Sequence, residues 1–164
     1  MSIDWNDPDA HVTPHFTVRE ALLLPRWDAL HSPTYTEKAN IQVMAGRMED
    51  VRALLDMPVH VHCWIRPAHA NLKHPANDER HRQHDGEDYN ALVRGRDGSM
   101  HIVGGAVDFH VGDYTTSARC RTVRSIILPH LERLGLRMED YDGPWLHLDM
   151  KRVRAGGKRY FHVN

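Results

Sequence analysis

The sequence predicts one α+β domain, with helices packed on a small, mainly antiparallel sheet that carries the functional site. Three observations lead there. Residues 36–55 repeat apolar side chains at helical spacing. Three short segments, at 59–65, 106–111 and 144–150, instead alternate with period two. No internal repeat, low-complexity tract or linker divides the 164 residues, a length that suits a single core.

Taken in order, residues 1–15 read as an N-terminal arm without periodicity. Thr17-Val18-Arg19-Glu20 has the form of a capping box and opens a short helix, with Phe16 as its apolar staple and Pro25 as its stop. Ser32-Pro33-Thr34 is a turn. The helix over 36–55 carries the stripe Ile41, Met44, Met48, Val51 and Leu55, read as core packing, and Asp56-Met57-Pro58 ends it. From Val59 to Ile65 a strand is expected. Val59, Val61, Cys63 and Ile65 form one face of it; His60, His62, Trp64 and Arg66 form the other, which reads as a site wall. Residues 68–87 are polar and aperiodic, a long loop that suits a lid, a substrate wall or an inert insertion.

Beyond it, Ala106, Asp108 and His110 share one strand face, and Val107, Phe109 and Val111 the other. Thr116 or Ser117 caps a helix running to about Leu134, kinked or divided at Pro129 and ended by Gly135. Its buried side is Val123, Ile126, Ile127, Leu131 and Leu134. Leu136 to Asp140 reads as a short strand and 141–144 as a turn. In the next strand Trp145, His147 and Asp149 lie opposite Leu146, Leu148 and Met150. Gly156-Gly157 suggests a terminal hairpin between 151–154 and 159–163.

Composition excludes some functions. A formal net charge of -1 argues against an electrostatic nucleic-acid binder. No apolar run approaches a membrane span, and the polar, acidic start lacks the form of a secretory leader. The two cysteines, Cys63 and Cys120, are expected as reduced thiols rather than a bridge. Histidine is the outlier at 14 residues, and spacing rather than number selects among them. His69, His74, His81 and His84 fall in the polar 68–87 stretch and read as solvated, and a packed core histidine is an alternative reading for His62 on its strand.

The segment from Ser99 to Phe109 organises the rest. His101 and Asp108 are two plausible metal ligands, and Gly104, Gly105 and Ala106 between them leave room beside the site. His147 on the second strand supplies a third. An imidazole and carboxylate set suits zinc, and three protein ligands leave one position open, as catalysis requires.

These residues carry a resemblance. Ser99-x-His101-x-x-Gly104-x-Ala106-x-Asp108-Phe109, followed by Trp145-x-His147-x-Asp149, resembles the M15 family of zinc peptidases. That family includes D-alanyl-D-alanine carboxypeptidases, phage endolysins and murein endopeptidases. Val59 to Pro67, ending in Arg66, and Tyr89-Asn90 also fit its pattern. The resemblance implies a hedgehog/DD-peptidase-like fold, one zinc on His101, Asp108 and His147, and cleavage of peptidoglycan stem peptides by a carboxypeptidase or endopeptidase. Without a leader, it further implies a phage or prophage lysis protein, reaching the wall after release or on the virion.

Arg66 would orient a substrate carboxylate or stabilise the oxyanion, or form a structural salt bridge. The proton carrier departs from the family pattern, because Pro144 and Trp145 stand where several members keep an acid or base. Asp149 is the first candidate, with the alternative that it orients His147 or pairs with an arginine. Asp142 is the second, and His62 or His110 the next. Two other classes remain open: a degenerate wall-binding or phage structural module without catalysis, and a purely structural zinc closed by His110 or His62.

Overall fold

A computed structural model describes residues 2–24, 28–66 and 99–162. The N-terminal segment is not a free arm. Strand β1 (His11–Thr13) pairs antiparallel with β2 (Phe16–Thr17), and Ile3, Trp5, Ala10 and Val12 pack against the core. The expected capping box forms. The Thr17 side chain accepts from the Glu20 N–H, and the Glu20 carboxylate accepts from the Thr17 N–H at 2.8 Å, which opens helix α1 (Val18–Leu22). Phe16 does more than staple that helix: it is buried and meets Trp64 edge-on at 5.7 Å. Instead of running to Pro25, the helix gives way to strand β3 (Leu23–Leu24), which pairs with β4 (Ala29–Leu30).

Among the described residues helix α2 (Tyr35–Leu55) is the longest element. A second capping box, Thr34 with Glu37, fixes its start, and Asp56 ends it in the left-handed region at φ 50°. The stripe Ile41, Met44, Met48, Val51 and Leu55 is buried as its spacing requires, with Ala45 added.

The main sheet has five strands: β5 (Val59–Cys63), β6 (Ala106–Val111), β7 (Arg137–Glu139), β8 (Leu146–Asp149) and β9 (Tyr160–Phe161). Their order is β5-β6-β8-β7-β9, antiparallel throughout except where β7 and β9 run parallel. The tail therefore adds an edge strand beside β7 rather than closing a hairpin on 151–154. Val107, Phe109, Leu146, Leu148 and Met138 fill the core face together with the α2 stripe.

Thr116 caps helix α3 (Ser117–Ile127), Pro129 sits in a 3-10 turn, and α4 (Leu131–Leu134) ends at Gly135 with φ 65°. The proline removes a backbone donor, so the expected long helix is divided there. Val123, Ile127, Leu131 and Leu134 are buried, but Ile126 faces outward. Arg124 reaches from α3 to the carbonyls of Gly143 (3.4 Å) and Trp145 (2.5 Å) and so pins the turn that feeds β8. The protein is thus a mixed α+β fold, and among its described residues no helix is long and apolar enough to cross a membrane.

Candidate metal centre

The face of the sheet turned away from the core carries a row of chemistry. Across neighbouring strands Cys63 stands opposite Asp108, and Asp108 opposite His147. On β7, Met138 pairs with Leu148 in the core, so the next residue, Glu139, lies on the other face in the position beside His147. Glu139 is in turn the parallel partner of Phe161. His101 joins this row from outside the sheet. It sits in a 3-10 turn (Met100–Val103) that Ser99 caps and Gly104 ends at φ 75°. That turn is held close to α2. A Cβ on Gly104 would stand 2.8 Å from Ile41 Cγ1 and 3.2 Å from the Glu37 carbonyl.

The three ligand candidates converge. His101 Nε2 lies 3.2 Å from Asp108 Oδ1 and 3.3 Å from His147 Nδ1, and His147 Nδ1 lies 2.7 Å from Asp108 Oδ1. Ligand bonds of zinc length at the tetrahedral angle place nitrogen and oxygen donors about 3.3 Å apart, so two of the three edges already fit and the third must open slightly. Cys63 belongs to the same cluster. Cys63, His101 and Asp108 can together hold a metal ion, with their ligand atoms all within 4.8 Å of one another.

Both imidazoles are oriented from behind. The His101 Nδ1–H donates to the Trp64 carbonyl at 2.7 Å; a carbonyl only accepts, so the Nε2 of the neutral ring is left as an acceptor facing the centre. His147 Nε2 faces Asp149 Oδ2 at 3.5 Å, which leaves Nδ1 for the centre. Charge is concentrated here. Burial disfavours charge on His101, but the Asp108 carboxylate outweighs it and raises its pKa to about 10. His147 is likewise raised against its burial by bonds to Asp108 and Asp149. Burial alone would raise the Asp108 carboxyl, yet the two rings hold it far below the usual range. Metal binding at this centre is therefore coupled to ring protonation, because a cation must displace any proton held between the donors.

Arg66 lies three residues beyond β5 and donates from Nη2 to Asp108 Oδ2 at 3.3 Å and to Cys63 Sγ at 3.7 Å. This is the salt-bridge arrangement, placed at the rim of the centre with the guanidinium partly exposed.

Asp149 does not fit the role of proton carrier. Arg137 grips its carboxylate with two bonds, Nε to Oδ1 at 2.8 Å and Nη2 to Oδ2 at 2.6 Å, and the Lys151 N–H adds a third at 2.8 Å. The group is buried, and its pKa falls to about 2: burial opposes this, but His147 and Arg137 prevail. Its geometry is that of the partner that orients His147. Asp142 is also engaged, by Arg121 at 2.7 and 2.9 Å on the exposed surface. His62 and His110 hold each other at 2.6 Å, with His60 stacked on His110 at 4.8 Å, so they form a histidine cluster on β5 and β6 beside the centre, and His62 feels the Asp108 charge.

Two residues emerge that the sequence did not single out for the site. Burial raises the Glu139 carboxyl, Asp108 adds to this and the His147 ring opposes it, so Glu139 is a carboxylate in electrostatic contact with the centre and inclined to hold a proton. The other is Cys63, expected on the core face. A bulge in β5 reverses it: Val61 pairs with Phe109 and Cys63 with Asp108, so two steps on β5 match one on β6. The bulge also takes Trp64 off the expected site wall and into the core, where its indole N–H donates to the Gly104 carbonyl at 3.1 Å. Cys120 is the buried free thiol expected from composition. Tyr89-Asn90, the 68–87 loop and its four histidines lie outside the described residues.

No protein-family model, curated protein or solved structure matches the chain.

Proposed function

We propose that this chain is a zinc-dependent peptidase of M15 type with a hedgehog/DD-peptidase-like fold, and that it hydrolyses stem-peptide bonds of peptidoglycan. The observation that carries the reading is the convergence of His101, Asp108 and His147, each ring held from behind by its own acceptor. A bound zinc would polarise the scissile carbonyl and make water acidic enough to attack near neutral pH. The chain's own residues do the rest. Arg66, at the rim, attracts a substrate carboxylate while bracing Asp108. Glu139 replaces Asp149 as the proton carrier. Its raised carboxyl, on the face it shares with His147, takes a proton from the attacking water on Oε and returns it to the leaving amine. Tyr141 and Trp145, in ring contact at 4.6 Å with Trp145 partly exposed, offer an apolar wall beside β8. Such an enzyme would meet the wall after release from a cell or as part of a virion.

A second reading, a wall-binding or phage structural module without turnover, draws on one fact. The carboxylates expected to serve as base, Asp149 and Asp142, are both held by arginines. Incubating the zinc-loaded protein with purified peptidoglycan and identifying products by mass spectrometry separates the two. New amino termini within stem peptides, or released D-alanine, support the peptidase. Binding to the wall without products supports the module.

A further inference from the structure

The bulge in β5 places a thiol where a metal-dependent hydrolase needs an open coordination position. In an unbroken strand Cys63 would follow Val61 onto the core face. Instead it faces Asp108, and its Sγ lies within 4.8 Å of the ligand atoms of both Asp108 and His101. A tetrahedral zinc with one sulfur and one nitrogen ligand sets them about 3.6 Å apart, so relative to His101 and Asp108 the sulfur needs to approach by at most about 1.2 Å. The surroundings favour the thiolate as a ligand. Arg66 contacts Cys63 Sγ at 3.7 Å and Asp108 Oδ2 at 3.3 Å, so one guanidinium faces both anionic donors. Cys63 is only partly buried, so the sulfur can leave the centre without disturbing the core.

We propose that Cys63 is the fourth ligand of this centre, completing a set with His101, Asp108 and His147, and that its thiolate keeps the hydrolase latent by filling the position that catalysis requires. This rests on the metal-dependent reading above. It differs from a structural zinc site because one ligand sits on a bulge beside the rim, where an incoming substrate carboxylate or carbonyl can displace it. Soft sulfur also strengthens the hold on zinc relative to harder, oxygen-preferring cations.

The test is to load the full-length protein with cobalt(II) and record its absorption. Wild type is expected to show a thiolate-to-cobalt charge-transfer band in the near ultraviolet. Cys63→Ser should lose that band while still binding one cobalt, and Cys120→Ser should keep it. Cobalt bound by wild type without the band overturns Cys63 as a ligand and leaves the metal centre standing. No cobalt uptake by wild type overturns the centre itself. Should Cys63→Ser fail to fold, alkylation of wild type decides the matter: zinc should slow iodoacetamide labelling of Cys63 at least tenfold, and an unchanged rate refutes ligation. For latency, Cys63→Ala should cleave peptidoglycan at least tenfold faster than wild type. Equal or slower cleavage overturns latency, and absence of cleavage by both proteins overturns latency and the peptidase reading together.

Discussion

Replacing Asp149 with asparagine separates a structural carboxylate from a catalytic one. The substitution removes the charge from a buried pair in which Arg137 makes two bonds, at 2.8 and 2.6 Å, while keeping one oxygen for the Lys151 N–H. Removing one partner of a buried ion pair costs about 3–5 kcal/mol when nothing replaces it. A second route to the magnitude is the pKa, lowered from 3.8 to about 2, which corresponds to about 2 kcal/mol of stability near neutral pH. The amide retains part of the bonding, so a loss of about 2–3 kcal/mol is expected, or a fall in Tm of about 4–12 °C for a chain of this size.

The sign with pH follows from the lowered value. The carboxylate's contribution is fully present above about pH 4 and is lost as pH falls through about 2. Urea unfolding of the metal-free wild type and Asp149→Asn at pH 7 and at pH 3 should therefore show a gap that narrows in acid. Zinc affinity should also drop about 10–100-fold, because His147 loses the acceptor behind its ring. Equal stability of the two proteins at pH 7, or a gap that does not change with pH, would refute this account and return Asp149 to candidacy as the proton carrier.

Glu139→Gln is the complementary change: turnover should fall roughly 100-fold or more, with zinc content and melting temperature retained. Unchanged turnover would remove Glu139 from the mechanism. His101→Ala should abolish stoichiometric zinc, read by elemental analysis, and equal zinc in both proteins would count against the ligand set. Arg66→Ala should keep a cooperative melt and bound zinc but lose most activity; a lost melt would instead mark its bond to Asp108 as essential to folding. Gly104→Ala should destabilise the fold, because φ is 75° and the added carbon would stand 2.8 Å from Ile41 Cγ1; an unchanged unfolding midpoint would contradict that packing.

Most of the fold was legible because its elements obey local rules. The stripe from Ile41 to Leu55 repeats at helical spacing and is buried along its length. Gly135 ends α4 as a left-handed cap, and Pro129 divides the helical segment where its missing donor requires. The tail was misread for a physical reason. Gly156-Gly157 permits a turn, but which strand the chain then meets is a tertiary choice, and Tyr160–Phe161 pairs with β7 rather than with the residues before the turn. The second capping box, Thr34 with Glu37, is an equally local signal carried by the sequence.

The site divides along the same line. Asp108 and His147 could be picked out from spacing because a strand fixes which face a residue occupies, whereas His101, in a 3-10 turn outside the sheet, was marked only by the Ser99-x-His101 string. What each neighbouring group does could not, because that depends on register between strands. Asp149 shares its face with His147 whether it acts as base or as support, and the bond from Arg137 on β7, which favours support, is not visible in the sequence. Glu139 left a usable signal: Met138 belongs to the core, so alternation alone sends Glu139 to the polar face. Its position beside His147 needed the pairing of β7 with β8. Cys63 left none. A bulge inserts one residue without altering composition, and here it exchanges the faces of Cys63 and Trp64. The same insertion that buries Trp64 against Phe16 turns the thiol towards His101 and Asp108. An unbulged β5 would put Trp64 on the site face and Cys63 in the core. Deleting His62 removes the extra residue yet keeps Cys63 next after Val61 and opposite Asp108, so the thiol should stay at the centre and Trp64 should keep the fluorescence of a buried indole; a red-shifted emission would refute this account of the bulge.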